Sequence, residues 1–193
     1  MSLKKPLKSK AKTKKVATQK APAKKGPLPK AVSTGYWLLK SEPESYSIDA
    51  FAKDVKTLWT GVRNYQARNF MMETMKAGEK FLFYHSNAEP SAVAGVGKIV
   101  RANVADPTAL DSKSDYYDPK SSTDHPIWFC AEVEFEAKLP RLVSLDELKA
   151  HKELVDMSLM QKGQRLSVLP VSKKEFEFVV KLASTKPPLK AKT

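Results

Sequence analysis

YWLLKSEP, residues 36 to 43, is the stretch at which a folded body can begin. Tyr36 to Lys40 reads as a strand of aromatic and aliphatic side chains, and the Glu42-Pro43 step ends it, since proline has no N–H to give a ladder. What precedes it is of another kind. From Lys4 to Lys30 the chain is built of Lys, Ala, Pro, Thr and Ser, with almost nothing large and apolar to bury. Such a segment cannot offset its ordering entropy and is expected to be disordered. Residues 1 to 33 hold eleven lysines and no acid, and the tail from 184 to 193 adds Lys186, Lys190 and Lys192. Fourteen of the 34 basic residues thus lie in the two tails with none of the 21 acidic ones, so the net charge of +13 belongs to the tails and the body is close to neutral.

Downstream of the first strand the signals alternate irregularly. Ile48 to Lys53 reads as a short helix. Asn64 can cap a second helix running through Met75, with Phe70, Met71 and Met75 inward and Gly78 closing it. EKFLFYHS at 79 to 86 and AVAGVGKIVRA at 92 to 102 are strand candidates, the glycines of the latter marking a bulge or a close backbone approach. Asp106 to Pro126, with YYDPKS at 116 to 121, reads as a long surface connection, a kind of segment that is often functional. From Trp128 onward Glu132, Glu134 and Glu136 alternate with Val133, Phe135 and Ala137, the pattern of a strand with one wet face. Ser144 with Glu147 and Ser172 with Glu175 each have capping-box spacing, and the helix after Ser172 should bury Phe176, Val179 and Val180. The mixture points to an α+β domain over residues 34 to 183, built around a curved or barrel-like sheet, with disordered basic tails at 1 to 33 and 184 to 193.

The chemistry that is missing narrows the function. Cys130 stands alone, which excludes an internal disulfide and a multi-thiolate zinc site. There is no Gly-rich phosphate loop, His-Glu-x-x-His, Cys-x-x-Cys or Gly-x-Ser-x-Gly. His85, His125 and His151 are dispersed, so neither a metal nor a cofactor is expected. No apolar run is long enough to span a bilayer, and no apolar stretch follows the basic N-terminus as a secretory signal requires. The expected setting is intracellular: the nucleoid-bearing cytoplasm of a bacterium or the nucleus of a eukaryote.

Four polar and aromatic clusters remain: WLLKSEP at 37 to 43, Trp59 with GVRNYQARN at 61 to 69, FYHSN at 83 to 87 and QRLSVLPV at 164 to 171. Each lies at an element boundary, where side chains can converge on one mouth of a sheet, and together they hold the groups that stack on and hydrogen-bond to a flat heterocycle. Trp37, Trp59 and Tyr84 are the candidate walls of a pocket. Lys40, Ser41, Asn64, His85 and Ser86 are the candidate edge readers, with Glu42, Arg63 and Arg165 beside them. Structural roles compete at every position. The tryptophans can be core, Asn64 an N-cap, Arg63 and Arg68 partners of Glu42, Glu73 or Glu79, and Arg165 with Ser167 a clasp.

YWLLKSEP, Trp59 with GVRNYQARN, FYHSN, YYDPKS, VSLDELK at 143 to 149 and QRLSVLPV occur in this order over residues 36 to 183 and closely resemble the EVE domain family. The resemblance implies the PUA-like superfold, a small β-barrel with flanking short helices related in architecture to YTH readers of methylated adenine. It further implies recognition of modified bases, chiefly modified cytosine in DNA, by drawing an extruded base into an aromatic-walled pocket. The expectation is a monomeric, non-enzymatic reader. Lys4, Lys5, Lys8, Lys10, Lys12, Lys14, Lys15, Lys24 and Lys25 would hold nucleic-acid phosphates without sequence preference. Two other readings stand beside it: an enzyme acting on a modified nucleotide with His85 and Glu42 as acid and base, and an RNA-binding PUA-like accessory module. One departure from the family pattern is Thr60, where the family usually has Asp before Gly-Val-Arg-Asn.

Overall fold

The computed structural model describes residues 33 to 185; the expectations placed on the lysine arm and on the tail from 186 lie outside them. Six strands form one mixed sheet: β1 (Tyr36–Ser41), β2 (Lys56–Leu58), β3 (Lys80–His85), β4 (Ala92–Ala105), β5 (Phe129–Ser144) and β6 (Val168–Val171). Their spatial order is β2-β5-β4-β3-β1-β6. β1 lies parallel to β3, with Leu39 opposite Phe83, and antiparallel to β6, with Leu38 opposite Leu169. The remaining pairs are antiparallel.

β1 is buried on both faces, which is why Trp37, Leu38 and Leu39 are an unbroken apolar run. Trp37 and Leu39 join Phe51, Phe81, Phe83, Ile99 and Val133 in one core. Leu38 joins Leu82, Tyr84, Val143, Leu148, Leu154, Phe176 and Val179 in another. Close strand packing accounts for the glycines of β4. A Cβ at Gly97 would come within 2.5 Å of the Phe81 ring, and the register against β5 shifts between Val96 and Gly97.

Helix α1 (Ile48–Asp54) starts at Ser47, whose hydroxyl accepts from the N–H of Ala50. Its last turn ends on Val55 at φ 62°, a left-handed conformation that a β-branched residue rarely adopts. Helix α2 (Tyr65–Asn69) is shorter than the pattern predicts. At Phe70 the hydrogen bonding lengthens to a π turn through Thr74, ending where Met75 N–H reaches Phe70 O. Gly78 does not close this helix; at φ +87° it forms the turn into β3 and donates to Ile99 O. Helix α4 (Lys173–Ala183) carries the full reciprocal capping box of Ser172 and Glu175. The box expected at α3 (Leu145–Lys149) is half made: Ser144 accepts from Glu147 N–H, but both Glu147 oxygens are taken by Arg141, each at 2.7 Å.

Candidate functional site

The sheet order ends at β2 on one side and β6 on the other, and these two strands do not pair. A cleft of about 800 Å³ opens where this seam is left. Thr57 to Gly61, leaving β2, form one wall; Gln164, Arg165 and Ser167, entering β6, with Lys40, Ser41 and Glu42 at the end of β1, form the other. Ser45, Tyr46, Ser86, Asn87 and Tyr116 complete the lining. The volume lies within the usual range for a site that takes a small organic ligand.

Aromatic rings make the floor. Trp59 is 7% exposed and meets Phe83 edge-on with centroids 5.5 Å apart. Tyr46 lies edge-on to Trp59 at 6.4 Å and donates its hydroxyl proton to Asp54 at 2.9 Å. Burial, helped by that hydrogen bond, pushes the Tyr46 phenol up to about 12, so it keeps its proton at neutral pH.

The rim is polar. Ser41 Oγ donates to Tyr46 O at 2.9 Å, so toward a ligand this hydroxyl acts as an acceptor. Glu42 accepts from the Asn87 amide at 2.5 Å. Lys40 is half-buried and its Nζ finds only Gln164 O, at 3.4 Å; burial lowers its pKa from the ordinary 10.5. Among the described residues no carboxylate lies at ion-pair distance from Lys40 or Arg165. The mouth therefore presents two uncompensated cations and one carboxylate.

Of the candidate site residues, the cleft gathers Lys40, Ser41, Glu42, Trp59, Ser86 and Arg165. The others lie elsewhere, each with a role of its own. Trp37 is fully buried, and its indole N–H donates to Glu79 at 2.6 Å. Tyr84 points to the opposite face of β3 from Phe83 and packs with Leu82 and Val143, because the pleat turns alternate side chains away from each other. His85 shares the Phe83 face, but its Nε2 accepts the backbone N–H of Ile48 at 3.1 Å and so holds the start of α1. Burial lowers its pKa, although Asp49 opposes this, and the ring is neutral with its acceptor nitrogen occupied. Asn64 is the N-cap of α2, its Oδ1 accepting from Gln66 N–H at 2.9 Å and Ala67 N–H at 3.2 Å.

Arg63 pairs with none of the three glutamates that the sequence offers it. Its Nη1 donates to Asp106 at 2.7 Å, its Nη2 to Thr108 at 3.0 Å, and its Nε to Tyr116 O at 2.8 Å. Burial alone would raise the Asp106 carboxyl, but hydrogen bonds from Arg63, Thr108 and the Gly61 N–H hold it below its ordinary value. Arg68, likewise, turns to Asn69 and to Ile127 O. Tyr46, Asn87, Tyr116 and Gln164 are cleft residues that were not among the candidates. For Tyr116 the signals are the length of the 106–126 connection and its place at the head of YYDPKS.

No three of the described His, Cys, Asp and Glu residues gather as a metal would require. Cys130 is fully buried and its thiol is pushed up to about 12 by that burial, so it is no nucleophile. No helix among the described residues is long and apolar enough to cross a membrane.

The EVE domain family model matches residues 35–182. Thymocyte nuclear protein 1 of Danio rerio is 44% identical over 170 residues, covering 78% of this chain and 73% of that protein. Its Homo sapiens counterpart is 40% identical over 173 residues, covering 80% and 76%. A Pseudomonas putida protein of known crystal structure superposes with a TM-score of 0.73 at 45% identity, covering 77% of this chain and 99% of its own. Human THYN1 protein, crystallised in complex with DNA containing 5-methylcytosine, gives a TM-score of 0.73 at 40% identity, with 79% and 99% covered.

Proposed function

Because this chain belongs to the EVE domain family, we propose that it is a non-enzymatic reader of modified bases in DNA, taking an extruded, modified cytosine into the seam cleft. The observation that carries the reading is the cleft itself: an aromatic floor of Trp59 and Tyr46 under a mouth with two cations that no carboxylate neutralises. The crystal structure of the human relative with 5-methylcytosine-containing DNA supports the choice of ligand. A cytosine edge offers an N4 donor beside acceptors. Ser41 Oγ and the free Glu42 oxygen suit the donor, while Lys40 and Arg165 suit the acceptors and the phosphates that flank them. Stacking on an aromatic is worth roughly 1 to 3 kcal/mol, similar to the few kcal/mol that flipping a base costs, so selection rests on the edge contacts. The lysine arm adds a sequence-blind hold on phosphates. The name shared by the vertebrate relatives accords with an intracellular setting.

An acid–base pair of His85 and Glu42 finds no support in this geometry, since His85 caps α1 and is absent from the cleft lining. The deciding experiment is a binding panel of single- and double-stranded oligonucleotides, DNA and RNA, carrying different modified cytosines and adenines. Products are then checked by mass spectrometry. Selective binding of modified cytosine in DNA without turnover is the expected result. Turnover would establish an enzyme, and preference for RNA would establish the accessory module.

A further inference from the structure

We propose that the Tyr116 ring is a stacking platform for the base adjacent to the one in the cleft, an inference that rests on the cleft being a base site. Tyr116 lines the cleft, yet it is 49% exposed, an unusual place for a large ring that contributes little to the core. It is firmly mounted. Its backbone oxygen accepts from both Nε and Nη2 of Arg63, and its N–H donates to Ser114 Oγ at 3.1 Å. The Arg63 guanidinium also sits 5.5 Å from the ring centroid, an attractive cation–π arrangement. The ring packs against Gly61, where a Cβ would come within 2.9 Å of ring atoms, so glycine is what lets the ring sit this close.

Rings and cations continue beyond the cleft, with the Asp118 carboxylate among them accepting from the Trp128 indole N–H at 2.6 Å. The Arg63 guanidinium is 5.2 Å from the Trp128 ring, Trp128 stacks on Tyr65 at 4.9 Å and 23°, and Arg68 lies 4.9 Å from the Tyr65 ring. Among the described residues Arg68, like Lys40 and Arg165, has no carboxylate at ion-pair distance. Exposed rings beside cations hold single strands without sequence preference, because every base has a π face, and here Arg63 is paired with Asp106 while Arg68 has no such partner among the described residues. A nucleotide drawn into the cleft leaves its backbone at the mouth. The next base along that strand is presented beside this mouth, where Tyr116 is an exposed ring of the cleft lining.

The test is a double-mutant cycle on the full chain, using oligonucleotides with one 5-methylcytosine and either a normal base or an abasic site beside it. Removing the neighbouring base should weaken wild-type binding about tenfold. Tyr116→Ala should cost about the same and make the abasic site costless, whereas Tyr116→Phe, which keeps the ring, should behave as wild type. An abasic penalty of equal size in wild type and Tyr116→Ala, or none in wild type, overturns the platform. Loss of preference for 5-methylcytosine over cytosine in wild type overturns the cleft reading instead and leaves the cycle readable. Absence of binding to every strand overturns both.

Discussion

The guanidinium of Arg63 donates to the carboxylate of Asp106 at 2.7 Å across 43 residues of chain, and the acid is 2% exposed. The same oxygen accepts the Gly61 N–H at 3.0 Å, so one buried carboxylate fixes the segment that forms a cleft wall to the connection that carries Tyr116. Asp106→Ala would leave Arg63 without its counter-charge and should cost about 3 to 5 kcal/mol in urea unfolding. Arg63→Lys should also be destabilising, because a point charge cannot replace a fork that serves Asp106, Thr108 and Tyr116 together. In acid the pair should fail in a defined direction. Asp106 binds its proton less readily in the folded chain than in the unfolded one, so its stabilisation is whole above the ordinary value of 3.8 and disappears as pH falls through the lower folded value. Asp106→Asn should flatten that acid limb, as followed by stability against pH.

Lys40 should behave in the opposite sense. Burial lowers its folded pKa below 10.5, so its charge opposes folding, and stability should rise as pH climbs from the folded value toward 10.5. Lys40→Met should hold or slightly raise the unfolding free energy measured in urea, by no more than about 0.5 kcal/mol, and lose this alkaline rise. Oligonucleotide affinity should fall roughly 10- to 100-fold, as for loss of a hydrogen bond from a charged donor.

Two of the three buried tryptophans, Trp37 and Trp59, should part company. Trp37→Phe removes one of the two donors to a Glu79 oxygen, the Lys76 N–H remaining, and should cost about 1 to 3 kcal/mol while leaving base preference intact in the folded protein. Trp59→Leu should lower both stability and preference, since this ring is core on one side and cleft floor on the other. Equal loss of preference in both variants would remove the floor from the binding account.

Asn64→Ala should cost about 1 kcal/mol, and Asn64→Asp almost nothing, because a carboxylate accepts the Gln66 and Ala67 N–H groups as well as the amide does. Neither should change base preference. A selective binding defect in a normally folded Asn64→Asp would place this residue in contact with the ligand.

Deleting residues 1 to 33, which carry eleven lysines and no acid, should leave base preference and reduce the salt dependence of affinity. Each phosphate that the arm no longer neutralises flattens the log-log slope by about 0.9 on duplex DNA, so four such phosphates change it by roughly 3 to 4. An unchanged slope would leave the arm without a part in binding.

The fold was legible where local chemistry dictates it. The doubly buried WLL run, the Glu/apolar alternation after Phe129 and the Ser172 capping box each act within a few residues. What escaped depends on distant partners. Spacing alone says that Glu147 can close a box with Ser144; only the fold brings Arg141 and its fork, which binds both oxygens. Likewise nothing near Arg63 announces Asp106, and nothing in FYHSN says that His85 will be engaged by the Ile48 N–H. The cleft was legible in its motifs more than in its residues: polar runs at strand ends located the mouth, but Tyr84 fell on the far side of the pleat, and Tyr46 carried no mark at all.

The seam between β2 and β6 has a mechanical consequence. No backbone ladder ties these two strands together, so whatever fastens one lip of the cleft to the other has to be a side chain or a guest. A molecule seated there acts as a rivet across a joint that the polypeptide leaves open. Binding at a hundredfold over its dissociation constant adds about 2.7 kcal/mol to the folded state. Part of that gain should surface as slower hydrogen exchange in both lips at once, at Thr57 to Gly61 and at Gln164 to Val168, segments that share no strand pairing.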